Sequence, residues 1–135
     1  MTAIINFHEE IKHRDAWTRD PNPLYPMDAR ELFDIGSDHQ TTLVRMKPGA
    51  EQHAHYHRLG GDIFVILQGS GTLTTAPLDK EDIPLSENIS QPVKPGDIYS
   101  IKTMEMHTLL NTGSEDLVWL NIAPSDHNEA DLTEV

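Results

Sequence analysis

The sequence predicts an all-β domain, a sandwich or barrel built from short strands. Two observations carry that expectation. Nine prolines and eight glycines in 135 residues spread turns along the whole chain, which suits short strands better than a helical bundle. From Thr41 onward, short apolar or alternating runs end repeatedly at Gly or Pro turns, the spacing of an antiparallel sandwich or barrel. A third feature gives the fold its point of interest. His53, His55 and His57 stand at alternate positions, and in an extended strand side chains two apart share one face. One domain with a real core is the expectation at this length.

Residues 1–38 read as a lead-in. Phe7 and Ile11, with Ala16 or Trp17, fall on one side of a short helix, although His8, Glu9, Glu10 and Lys12 weaken the periodicity. Pro21, Pro23 and Pro26 then impose an extended path. Ala29 to Ile35 fits either a strand or a helical turn. Residues 39–123 form the predicted barrel. Thr42, Val44 and Met46 alternate with Leu43, Arg45 and Lys47 up to a turn at Pro48-Gly49. A second strand carries the histidines and breaks at Gly60-Gly61, and a third, rich in β-branched residues, runs from Asp62 to Leu67. Gly69-Ser70-Gly71 turns into Thr72 to Thr75. Ala76 to Val93, polar and proline-containing, reads as a long surface excursion. Lys94 to Asp97 is a turn before a strand Ile98 to Ile101; further strands cover His107 to Asn111 and Leu117 to Ala123. Residues 124–135 read as an acidic, poorly ordered tail.

Composition limits the function classes. Ten basic against twenty-two acidic residues give a formal charge of −12, which opposes nucleic-acid partners and anionic membrane surfaces. With no cysteine, disulfides, thiolate metal sites and cysteine nucleophiles are excluded, and any metal must take nitrogen and oxygen ligands. The first fifteen residues lack a signal-peptide pattern, and no apolar run is long enough to span a bilayer. A cytoplasmic protein is therefore expected.

The histidine stretch has a defined spacing: Gly49, five residues, His55-Tyr56-His57, four residues, Asp62, six residues, Gly69. A second pattern starts at Gly96, with His107 eleven positions on and Asn111 four further. Together they resemble the two sequence motifs of the cupin superfamily, over roughly Thr41 to Ile122. The resemblance implies a double-stranded β-helix, or jelly-roll, barrel with one divalent metal inside. Carried over by position, the ligands are His55, His57, His107 and Asp62, the last standing where the family has Glu. Asp62 reaches one methylene less far, so it binds either directly, if Gly60-Gly61 lets the backbone move in, or through a water. Lys102 and Met104 stand where the second motif has Pro and Gly, positions that shape a turn. This donor set suits Fe, Mn, Ni, Zn or Cu as a dication.

His53 is left unassigned by the spacing. It either faces the cavity as a substrate contact or proton acceptor, or sits solvated at the barrel mouth. His8, His13, His39 and His127 read as surface residues. Trp17 and Trp119 read as core, Met46, Phe64, Ile66, Leu109 and Trp119 as barrel lining, and Asn111 as a strand-end cap. The expected function is action on a small polar or carboxylate-bearing molecule by oxygenase, isomerase or lyase chemistry. A non-catalytic binding or sensing module in the same barrel is the alternative. Family analogy adds a homodimer.

Overall fold

The computed structural model describes residues 4–34, 39–124 and 131–135. The lead-in supplies a helix, α1 (Phe7–Lys12), capped by the Asn6 side chain on the His8 and Glu9 amides, followed by β1 (Thr18–Arg19) and β2 (Asp28–Asp34). The barrel strands are β3 (Gln40–Met46), β4 (His55–Tyr56), β5 (Asp62–Gln68), β6 (Gly71–Pro77), β7 (Ile89–Val93), β8 (Ile98–Ile101), β9 (Glu105–Asn111) and β10 (Leu117–Ala123). A last short strand, β11 (Thr133–Glu134), closes the chain. Among the described residues these form two antiparallel sheets, ordered β1-β2-β3-β10-β5-β8 and β11-β4-β9-β6-β7.

The alternation of apolar residues dictates which side of each strand is filled. Phe64 and Ile66 of β5, Val44 and Met46 of β3 and Leu117 and Trp119 of β10 face Leu73, Leu109 and Val93 from the other sheet in one buried cluster. β10 lies in the middle of its sheet, with Trp119 in register with Val44 on one side and Ile66 on the other. That explains the continuous apolar run from Leu117 to Leu120. Trp119 is core, as expected, at 1% exposure. Trp17 is only half-buried, with the Arg45 guanidinium 4.5 Å above its ring.

Three sequence expectations are refined by the fold. The ambiguous stretch Ala29 to Ile35 is strand as far as Asp34, in β2, paired with β3, so the lead-in extends the barrel's sheet; Ile35 lies outside the described residues. The excursion after Ala76 is shorter than expected, because Ile89 to Val93 returns to pair with β6. Pro92 made that stretch look irregular, but β7 is the last strand of its sheet, where a missing N–H leaves no ladder bond unmade on the open side. The expectation of a poorly ordered tail does not hold for residues 131–135. Thr133 and Glu134 pair with Tyr56 and His55, and Asp131 is buried. Residues 125–130, including His127, lie outside the described residues.

Gly61 sets the entry to β5. A Cβ there would sit 2.5 Å from the Ile101 carbonyl oxygen, and the next residue, Asp62, pairs directly with Ile101. Only a residue without a side chain lets the two backbones approach so closely. Gly61→Ala is expected to cost about 1–3 kcal/mol, the usual range for overpacking, read as a lower urea midpoint. An unchanged midpoint would show that the approach is not constrained.

Candidate metal centre

The histidines lie where the apolar filling of the five-stranded sheet ends. Leu109 of β9 is core, and two residues earlier on the same inward face stands His107. β9 aligns His107 with His55 of β4 on one side and Thr75 of β6 on the other. The His55 and His107 rings are 4.2 Å apart between centroids, as expected of direct cross-strand partners. His57 follows just past the end of β4, its ring 5.1 Å from His55 and 5.5 Å from His107. The Met104 amide donates to its carbonyl at 2.8 Å. Met104 itself has φ of 59°, the left-handed region that favours glycine, at the position where the motif has Gly. The turn survives the substitution.

All three histidines are buried, and one ring nitrogen from each lies within 4.8 Å of the others. Each Nδ1 is tethered to a main-chain carbonyl: His55 to His53 at 2.8 Å, His107 to Glu105 at 3.2 Å and His57 to Asp131 at 2.5 Å. A carbonyl only accepts, so each Nδ1 is the protonated nitrogen, and in the neutral ring Nε2 carries the lone pair. This backbone tethering of one imidazole nitrogen is how proteins orient metal-ligating histidines. Burial, and then the neighbouring His107 ring, push His55 from its ordinary 6.5 down to about 3, so it is neutral and ready to ligate at physiological pH. Three imidazole donors fit a divalent first-row transition ion.

Asp62 belongs to the opposite sheet. It is buried, accepts a hydrogen bond from Asn121 Nδ2 at 3.1 Å, and lies outside the three-histidine group. His55 and Asp62 instead share the wall of a cavity of about 250 Å³, with Tyr25, Gln52, Phe64 and Trp119 among its other lining residues. His53 stays away from the group. Its ring contacts the Val135 carbonyl at 3.2 Å and its amide donates to the Leu24 carbonyl at 2.9 Å. The chain before His55 is not in strand conformation, so the parity argument does not reach it.

Sequence reasoning missed Tyr25, Gln52, Asn121 and Asp131. Tyr25 is buried, with its ring edge-on to His55 at 5.3 Å, and its hydroxyl has no hydrogen-bond partner. Burial, helped by Glu134 and Asp20, pushes its phenol up to about 12, keeping it a donor. The Gln52 Oε1 atom is likewise buried and unpartnered. Only Asn121 had a visible signal, as a lone polar residue on the inward side of an apolar strand.

Two antiparallel sheets around an apolar core, with a histidine triad that could hold a metal, define a double-stranded β-helix domain. The cupin domain family model matches residues 42–123, and the chain belongs to that family. No curated protein matches the sequence. Among solved structures it is similar to the capsular polysaccharide assembling protein CapF of Staphylococcus aureus, at 18% identity and a TM-score of 0.72 over 88% of this chain and 34% of that one. The chain thus spans about a third of that protein's length. KdgF from a Halomonas species matches at 19% identity and a TM-score of 0.64, over 84% of this chain and 89% of that one. A conserved protein with a double-stranded β-helix domain from Klebsiella pneumoniae matches at 17% identity and a TM-score of 0.65, over 100% and 98%. At these identities the likeness is one of fold.

The depressed His55 titration has a consequence for stability. Between its ordinary pKa of 6.5 and its folded value of about 3, the unfolded chain takes a proton on His55 that the folded chain refuses. Stability of metal-free protein therefore stays level, as far as His55 is concerned, above pH 6.5 and declines as pH falls towards 3. Denaturant titrations across that window, with His55→Gln alongside, should show a shallower acid loss in the variant. Equal losses in both would show that His55 titrates normally.

Proposed function

We propose that the chain is a metal-dependent isomerase or lyase. It would hold one divalent transition ion through His55, His57 and His107 and act on a small carboxylate- or enol-bearing molecule in the adjoining cavity. The observation that carries this reading is the set of three buried imidazoles, each with Nδ1 fixed on a backbone carbonyl, of which His55 lines a cavity that also holds Asp62. Among the described residues no helix is long and apolar enough to cross a membrane.

When bound, the ion supplies a Lewis acid and the positive charge that would draw an anionic oxygen into an otherwise acidic protein. The remaining work falls to the chain's own groups. Asp62 is the cavity's carboxylate beside His55, oriented by Asn121, and is placed to accept a proton from a bound substrate. Tyr25 stays protonated and offers a hydroxyl donor, while Gln52 offers a carbonyl acceptor. Phe64, Trp119 and Val44 give the cavity apolar walls that limit water. Oxygenase chemistry could use the same three histidines, but it gives Asp62 and Tyr25 no evident role. Their position supports proton transfer.

Purified protein is expected to carry about one divalent metal per chain, by elemental analysis, and to lose it in His57→Ala and His107→Ala. Asp62→Asn should keep the metal. A panel of small 2-oxo and hydroxy carboxylates incubated in D₂O should show C–H exchange with the wild type and at least about a hundredfold less with Asp62→Asn, within the usual range for loss of a general base. Metal retained in both histidine variants would contradict the ligand assignment. Metal binding without exchange or turnover would favour the binding module.

A further inference from the structure

The C-terminal segment reaches the histidines from outside the matched family region, and one residue makes the contact at both ends. Asp131 lies 74 positions beyond His57 in sequence, and its main-chain carbonyl is the acceptor for His57 Nδ1. Its side chain, in a residue only 9% exposed, accepts from three successive backbone amides directly after that histidine. Arg58 N donates to Oδ1 at 2.8 Å, Leu59 N to Oδ1 and Oδ2 at 3.1 and 2.9 Å, and Gly60 N to Oδ2 at 3.0 Å. Charge-assisted bonds of this kind are among the stronger ones a buried backbone makes. The rest of the segment is pinned alongside. Thr133 and Glu134 pair with Tyr56 and His55, the Val135 amide donates to the Ala54 carbonyl at 3.0 Å, and Glu134 accepts from Asn22 of the lead-in at 3.2 Å.

His57 needs this help more than its neighbours. His55 and His107 take their Nδ1 acceptors from carbonyls only two residues earlier in the chain, so local folding supplies them. His57 stands beyond the end of β4, where the chain turns through Arg58, Leu59 and Gly60, and its acceptor comes from the far end of the sequence. The bonds from the turn to the Asp131 carboxylate fix the distance between that residue and His57.

We infer that Asp131 is a positioning residue for the metal centre: its carboxylate staples the 58–60 turn to the C-terminal segment so that its own carbonyl holds His57 in the Nδ1–H tautomer, with Nε2 turned to the metal position. This rests on the metal-binding reading given above. It also extends the site beyond the barrel strands, because removing Asp131 loosens a ligand without touching the ion.

The test compares wild type, Asp131→Ala and Asp131→Asn in two measurements. Zn(II) affinity, by competition with a chromogenic chelator, should fall about 10–100-fold in Asp131→Ala, the usual effect of losing the group that orients a ligand. The fall should be smaller in Asp131→Asn, which keeps one acceptor oxygen. In metal-free protein, long-range ¹H–¹⁵N spectra of the imidazoles should show His57 as the Nδ1–H tautomer in wild type. In the variants His57 should become a mixture of tautomers while His55 and His107 stay unchanged. If Asp131→Ala does not fold, Asp131→Asn carries both readouts. Wild-type affinity in a folded variant, or weakened affinity with the His57 tautomer unchanged, would overturn the inference. Absence of Zn(II) binding by the wild type would overturn the metal reading instead, and the tautomer spectra would still decide whether Asp131 holds His57.

Discussion

The pairing of His55 with His107 across two neighbouring strands is the contact on which the rest of the site depends. Cross-strand partners in an antiparallel pair meet side by side, so once β4 and β9 are in register two imidazoles must share one small buried volume. Burying polar rings costs free energy unless their hydrogen bonds are made. The fold meets that cost by giving each Nδ1 a carbonyl and, at His55, by keeping the ring uncharged. A neutral imidazole oriented by its Nδ1 is also what a divalent transition ion requires, so the stability problem and the ligand problem have one solution.

Other features follow from placing that pair at the end of an apolar barrel. Leu109 and Leu73 fill the interior one step further along the same strands, and Phe64 and Trp119 stack at 5.9 Å beneath the site. On the facing sheet, Asp62 comes inward because it has the same parity as Phe64 and Ile66, and Gly61 lets its backbone close on Ile101. The lead-in then brings Tyr25 against His55, and the C-terminal segment brings Asp131 against His57. Neither segment belongs to the family-matched region, yet both touch its histidines.

Much of this was legible in the sequence. The strands from Ile98 to Ile101 and Leu117 to Ala123 have the predicted bounds, because apolar runs between Gly- and Pro-containing turns leave little choice of register. The spacing from Gly49 and Gly96 located three histidines that do converge. What was not legible has physical reasons. His53 shares parity with His55 only if the strand extends back to it, and it does not. Asp62 does come to the cavity that His55 lines, but sequence spacing cannot tell that the facing sheet supplies it. β2 was ambiguous because charged residues interrupt the apolar ones in DARELFD, and its strand form comes from pairing with β3. Asp131 and β11 were hidden because a short acidic stretch has no local preference for strand and gains order only from contacts 70 or more residues away.

X-ray absorption at the metal edge of protein loaded with one equivalent of Ni(II) tests the central claim most directly. The account predicts the multiple-scattering signature of three imidazoles around the ion, lost in His57→Ala along with the bound metal. A spectrum with oxygen ligands only, or one unchanged by that substitution, would contradict it.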